Sequence, residues 1–501
     1  MKDMKHLLTT LSAMLIAASA SFAQTSWLDH AADSYAGGSG TQADPYLIAT
    51  PEQLAKLAAD TYGSAASVME QKENYTIYEA FEGVYFRLTA DIDLSGHEWQ
   101  GIGGYMELPV EDENVDPDYD EYRFMGVIDG DGKKITNMEG LYGFVGSTGL
   151  YAEIRNVTVE SGEITAYGAI TMAGGIVGAN RGLVENCVNK ANVTAFFFYP
   201  GGVVGSNETG EDGSPSGIVR KCINLGRVSS RPDIGNGAYS GGICGTNTSI
   251  IELCANYGDV SATTMGSAGI ACMVDAGVVR NCYNRGSITG DAEQAGGIAA
   301  AVMGRSGEAE VYACYNAGEV YCPLGSASCV VAAMNINQSS IALHHLYNDG
   351  QACPGLYVVG MNVDSDVDEA TTIDIEPAMM KSQAFVNILN KAGETDEWIV
   401  DETVNDGYPT FASFRDFLAE SGVGLAEQVA GDALSDISVY AIDGHIVVTG
   451  AEEAEITVYG TAGTVLARGS REAVSAMTFD GGIYVVSVRS GSEVRNVKVA
   501  I

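Results

Sequence analysis

Ten cysteines are the most reactive side chains in this 501-residue sequence, and five of them recur in one context. Cys187-Val-Asn189, Cys222-Ile-Asn224, Cys254-Ala-Asn256, Cys282-Tyr-Asn284 and Cys314-Tyr-Asn316 share a Cys-x-Asn triplet. A row of thiols could ligate a soft metal or carry disulfide exchange. Both chemistries favour CxxC pairs, and none occurs. Thiols that hold one repeat position behave as small apolar packing, so this row reads as a ladder of reduced core residues. Cys244, Cys272, Cys322, Cys329 and Cys353 are less regular, and a pair among them could bridge.

His97-Glu98-Trp-Gln-Gly101 lacks the second histidine that a helical zinc-protease motif needs. His344 and His345 are adjacent in a strand-like run, so their rings should point to opposite faces. Asp129-Gly-Asp131 is a tempting pair for glycoside hydrolysis, which wants two carboxyls across a groove, but it also reads as a strand-to-turn corner. Asp364, Asp366 and Asp368 alternate as weak calcium ligands, with Val367 where an EF-hand needs glycine. Phe196, Phe197, Phe198 and Tyr199 cannot all point inward, so one or two are expected to be covered by a loop or else exposed, where they would suit a glycan or protein partner. No catalytic residue is expected, and no cofactor beyond a weak possibility of calcium.

The elements that position these groups follow from the repeat. A glycine step precedes each triplet, as in Gly174-Gly-Ile-Val-Gly178, Gly201-Gly-Val-Val-Gly205 and Gly241-Gly-Ile-Cys-Gly245. Aliphatic residues stand three places before each cysteine, at Val184, Val219, Ile251, Val279 and Val311. A third apolar run follows, at Val193, Val228, Val260, Ile288 and Val320. Three short strands per unit, stacked on their equivalents, predict a parallel β-helix, right-handed by the crossover preference. Asn189, Asn224, Asn256, Asn284, Asn316 and Asn348 read as left-handed corner residues. Val157 and Leu346 fall in the cysteine column, which supports a packing role for the thiols.

Bulk composition narrows the partners. Lys+Arg 26 against Asp+Glu 65 gives a net charge of -39, which disfavours nucleic acid and anionic lipid. Sixty-two glycines suit a turn-dense β protein. Residues 1–23 read as an export signal, with Lys2 and Lys5 before an apolar stretch and Ser21-Phe22-Ala23 at its end. No other stretch approaches a membrane span. A secreted or cell-surface location follows.

The flanks carry a resemblance. Gly40-Thr-Gln-Ala-Asp-Pro-Tyr46, Leu88-Thr-Ala-Asp-Ile-Asp-Leu94, the Gly-Gly-Ile-Val-Gly repeats and Asp406-Gly-Tyr-Pro409 together resemble the GLUG-repeat surface proteins of Bacteroidota and some Gram-positive bacteria, over roughly residues 36 to 415. Val458-Tyr459 to Gly463 and Gly482-Ile-Tyr-Val-Val486 are similar to the C-terminal sorting domains of type IX secretion, which implies the outer-membrane secretion machinery as a partner. The expected fold is all-β: a β-helix with short flanking helices and a small C-terminal β-sandwich. The expected boundaries are a signal at 1–23, an N-terminal capping region at 24–123, the β-helix at 124–360, its C-terminal cap at 361–421, a linker at 422–435 and the sandwich at 436–501. An adhesin-like binding or scaffold role is expected; the alternative is a polysaccharide lyase or glycoside hydrolase on the same scaffold.

Overall fold

The computed structural model describes residues 25–421 apart from 72–74, 108–118, 167–171, 197–198, 231–238, 291–293, 324, 335–340 and 361–365. Beyond these it describes 438–442, 445–449, 455–459, 465–470, 473–474, 477–479, 483–490 and 493–500. The expected signal and linker lie outside the described residues. The chain divides into two compact units, Met1–Gly424 and Leu425–Ile501.

The first unit is a parallel β-helix. One coil shows the design: strands Leu183–Glu185, Val188–Asn189, Asn192–Ala195, Tyr199–Gly201 and Val204–Asn207 follow one another. Each pairs in parallel with its equivalent in the next coil, as in Val184↔Val219, Asn189↔Asn224, Val193↔Val228, Gly201↔Gly241 and Val204↔Cys244. The coil therefore has five strand segments where the sequence suggests three. A left-handed corner before each cysteine breaks one run into two, and the glycine step breaks another.

That corner corrects the reading of the asparagines. At this corner the residues with positive φ are Asn156 (55°), Asn186 (54°), Lys221 (54°), Leu253 (55°), Asn281 (50°), Ala313 (51°) and His345 (52°). They sit immediately before the cysteine column, and three positions before Asn189 and its equivalents. The ladder asparagines themselves lie in strands and are fully buried. Their amides still bond the backbone two residues on. Asn256 Nδ2 reaches Gly258 O at 2.8 Å, and each amide also donates to the next: Asn189 to Asn224 (2.9 Å), Asn224 to Asn256 (2.8 Å), Asn256 to Asn284 (2.8 Å), Asn284 to Asn316 (2.8 Å) and Asn316 to Asn348 (3.1 Å). A satisfied polar row of this kind fixes the register between coils.

The glycine step is dictated by this row. A Cβ at Gly242 would lie 2.1 Å from Gly269 O and 2.4 Å from Asn256 Cγ, and Gly175, Gly202, Gly269 and Gly297 meet the same obstruction. Only glycine lets the backbone pass so close to a stacked amide.

The core is the inside of the stack: Val157, the five ladder cysteines and Leu346 form one fully buried column, beside Val184, Val219, Ile251, Val279 and Val311. Outside, the strand before each corner carries a column of alternating charge. Asp129, Arg155, Glu185, Arg220, Glu252 and Arg280 stand in register, followed by Tyr312 and His344. Arg220 meets Glu185 and Arg280 meets Glu252, each at 2.7 Å.

The stack begins upstream of residue 124: Tyr46–Ile48 pairs with Tyr85–Leu88, which pairs with Val127–Asp129. The helix Pro51–Tyr62, N-capped by Thr50, buries Leu54 and Leu57 against this end. At the other end Thr372–Ile375 pairs with Ile341–Asp349. The segment beyond it does not close the end as a cap. It folds back along the side, where Phe385, Leu389, Trp398, Phe411 and Phe414 cover the outward column Ile223, Ala255, Tyr283, Tyr315 and Tyr347. These are the middle residues of Cys-x-Asn and their equivalents, and large apolar groups on an outer face need a cover.

In the second unit the hairpin Ser438–Ile442/His445–Thr449 accompanies a four-stranded antiparallel sheet. Ile446 and Val448 share one core with Ile456, Val458, Val486 and Val488, as in a β-sandwich.

Candidate functional site

The left-handed corners of successive coils form a line along one edge, and the folded-back segment covers only its middle. Leu253, Asn281 and Ala313 are partly or fully buried. Asn281 is gripped by the cover: it accepts from the Trp398 indole (3.1 Å) and donates to Gly393 O (3.1 Å). The line emerges at both ends into a groove.

The first groove, of about 420 Å³, has Asp131, Asn156, Asn186 and Lys221 along its floor and Phe414 and Phe417 at its rim. All four floor residues have positive φ, which turns their side chains outward in a row about one coil apart. Asn186 Nδ2 donates to Asn156 Oδ1 (2.7 Å), and Asn156 Nδ2 donates to Asp129 Oδ1 (2.9 Å). Lys221 pairs with Glu397 at 2.7 Å. Phe417 is half-buried, with Lys190 Nζ 5.7 Å from its ring centre. Amides, a carboxylate and an ammonium beside an aromatic face can bind hydroxyl-rich or amide-rich ligands.

The second groove, of about 770 Å³, includes His345, Tyr347, Ile373, Met379, Ile388 and Lys391 and is largely apolar. The corner at His345 corrects the expected strand geometry of the histidine pair. The two rings lie 5.4 Å apart and are engaged separately, His344 with Glu310 (3.0 Å) and His345 with the Tyr347 hydroxyl (3.1 Å). Burial and the neighbouring His344 hold His345 below the usual imidazole range.

The remaining sequence candidates fall elsewhere. Asp129 accepts from the Asp131 backbone (3.0 Å) as well as from Asn156, so this carboxylate holds the turn. His97 bonds Thr25 (2.6 Å) and stacks on His30 at 3.9 Å. Phe197, Phe198 and Asp364 lie outside the described residues, as does the side chain of Asp366. Phe196 and Tyr199 are half-buried, and Tyr199 stacks on Tyr239 at 5.8 Å. Asp368 accepts from Thr371 Oγ1 (2.9 Å) and Ala370 N (3.0 Å), bonds that hold its carboxyl below the ordinary range. Among the described residues, no three His, Cys, Asp or Glu side chains are grouped so as to hold a metal ion.

None of the ten cysteines is in a disulfide; nine are buried and Cys322 is half-buried. Each ladder thiol points at the carbonyl two residues back, as Cys254 at Glu252 O (3.2 Å) and Cys282 at Arg280 O (3.1 Å). Burial raises Cys187, Cys222, Cys254 and Cys282 well above the ordinary thiol range.

Two features escaped sequence reasoning. Asn180, Asn207 and Asn247 form a second, shorter amide ladder (2.9 and 2.8 Å), signalled by asparagine two places after the last glycine of the step. Near it, buried Glu121 joins Arg181 (2.7 Å), Arg123 (3.0 Å) and Ser147 (2.7 Å), and Arg181 reaches Glu208 (2.6 Å) at the start of the long insertion. The corner row was legible in principle, because its members precede the cysteine column.

The fold and this edge define a parallel β-helix protein with a partly covered lateral row. No family model matches the chain, and no solved structure matches it. It is 32% identical over 161 residues to a protein of Evansella cellulosilytica named "Putative Gly-rich membrane protein". That match covers 30% of this chain and 15% of the relative, so the chain spans only a small part of the relative's length. No helix among the described residues is long and apolar enough to cross a membrane.

Proposed function

We propose that this protein is an exported, adhesin-like binding module that presents its β-helix at the cell surface and takes a glycan in the groove floored by Asp131, Asn156, Asn186 and Lys221. The observation that carries this reading is the open corner row itself: outward hydrogen-bonding side chains at coil spacing beside Phe417. Sugars are bound by planar polar groups together with an aromatic face, and a coil-spaced row matches a repeating polymer better than a small metabolite. The GLUG-type motifs, the sorting-like tail and the name of the Evansella relative support a surface location.

The rival reading is a polysaccharide lyase or glycoside hydrolase, favoured by Asp131 in the same groove with Asp129 bonded to the groove's Asn156. Glycan-array binding by the full chain, with Asn186→Ala and Phe417→Ala as groove variants, tests the primary reading. Binding lost in both variants supports it, and binding unchanged in both removes the groove. Release of new sugar ends from an acidic or neutral polysaccharide would replace binding by catalysis.

A further inference from the structure

The glycine column that passes the amide ladder runs Gly175, Gly202, Gly242, Gly269 and Gly297. Register places Ser328 opposite Gly296, so the next member of the column is Cys329. It is the first member after this run of glycines to carry a side chain. A break in a strict local rule calls for a compensating partner, and the terminal coil supplies one. The Cys329 thiol lies 3.7 Å from the carbonyl oxygen of Cys353 and 3.6 Å from that of Leu356. The Cys353 thiol lies 3.6 Å from Asn316 Nδ2 and 3.4 Å from Gly318 O, beside the end of the ladder. Both are buried in the same core.

We propose that Cys329 and Cys353 are a disulfide site that staples the 349–358 turn onto the last glycine-step strand, unlike the packing thiols of the ladder. The ladder cysteines are related by one in-register coil step, whereas Cys353 comes from a turn and approaches Cys329 from the side. The contact between the two thiols links their titrations, so exchange can open at either sulfur and gives the same bond, as from Cys353. Its thiolate attacks a disulfide donor, such as oxidised glutathione or a thiol–disulfide oxidoreductase, and releases one donor thiol. The Cys329 thiolate then displaces the second donor thiol from the mixed disulfide. Two protein thiols are oxidised, one donor disulfide is reduced, and the two protein thiol protons end on the two donor thiols.

The test oxidises the full chain with a glutathione couple, both as native protein and during refolding, then alkylates it under denaturing conditions and maps peptides. The expected result is a Cys329–Cys353 linked peptide, two fewer alkylated thiols than the ten of the reduced chain, and a higher Tm that reductant reverses. Cys329→Gly restores the column residue; it should fold and lose both the link and the reversible Tm shift. Ten alkylated thiols in both arms, or a link between other cysteines, would overturn the proposal.

Discussion

Asn281 accepts a hydrogen bond from the Trp398 indole at 3.1 Å across 117 residues of chain, from within the left-handed corner of its own coil. The same amide donates to Gly393 O. This side chain couples the corner line to the segment that covers it. Asn281→Ala leaves a buried indole N–H and a carbonyl unpaired and should cost about 2 kcal/mol. Hydrogen exchange should rise over 383–411 while the coils keep their protection; uniform loss would mean that the cover is not a separable unit.

In the amide ladder, Asn256 makes bonds of 2.8 Å to Asn224, Asn284 and Gly258 O. Truncation orphans partners on both sides, so Asn256→Ala should lower stability by about 3 kcal/mol. Denaturant midpoints of Asn256→Ala and the exposed Asn186→Ala give the comparison: Asn186→Ala should stay within about 0.5 kcal/mol of wild type.

Glu121 sets a pH dependence. Burial alone would raise its carboxyl, but Arg181 and Arg123 outweigh it and hold the group at about 2 against an ordinary 4.5. A depressed folded-state value stabilises above the ordinary one and is lost as pH falls through it. Stability should therefore decline between pH 4.5 and 2, by up to about 3 kcal/mol from this group. Glu121→Gln should flatten that part of the profile, measured by denaturation at each pH.

Thiol reactivity reports the ladder directly. Burial shields a thiol from reagent, so the native reduced protein should give at most one fast thiol, half-buried Cys322, and all ten after unfolding. Fast labelling of Cys187 or Cys254 in the native state would contradict the packed column.

At Gly242 an added Cβ meets Gly269 O at 2.1 Å and Asn256 Cγ at 2.4 Å, whereas Gly132 has nothing within 4 Å. Gly242→Ala should abolish folding or shift the denaturation midpoint severely. Gly132→Ala should cost only about 1 kcal/mol, from its positive φ. Circular dichroism during thermal unfolding distinguishes the two.

The stacked architecture was readable because one coil cannot bury its own inner face, so Val157, the cysteines and Leu346 announce a shared column. The corner was misplaced because asparagine favours both the left-handed conformation and buried amide ladders; Leu253 and Ala313 show that the coil imposes its corner on residues with no such preference. The side cover was not readable as such. Tyr283 and Tyr315 look like ordinary strand residues until Trp398 and Phe411 are placed on them. The groove combines Asn156 and Asn186 with Phe417, and only the fold brings such distant segments together.

The alternating outer column from Asp129 to Arg280 gives this solenoid a parity. Adding or deleting one coil would set two like charges side by side, at a cost on each neighbouring pair. Adding or deleting two preserves the alternation. Growth by duplication is therefore easier in pairs of coils, and the aromatic contact of Tyr312 with His344, stacked at 4.9 Å, marks where the alternation ends.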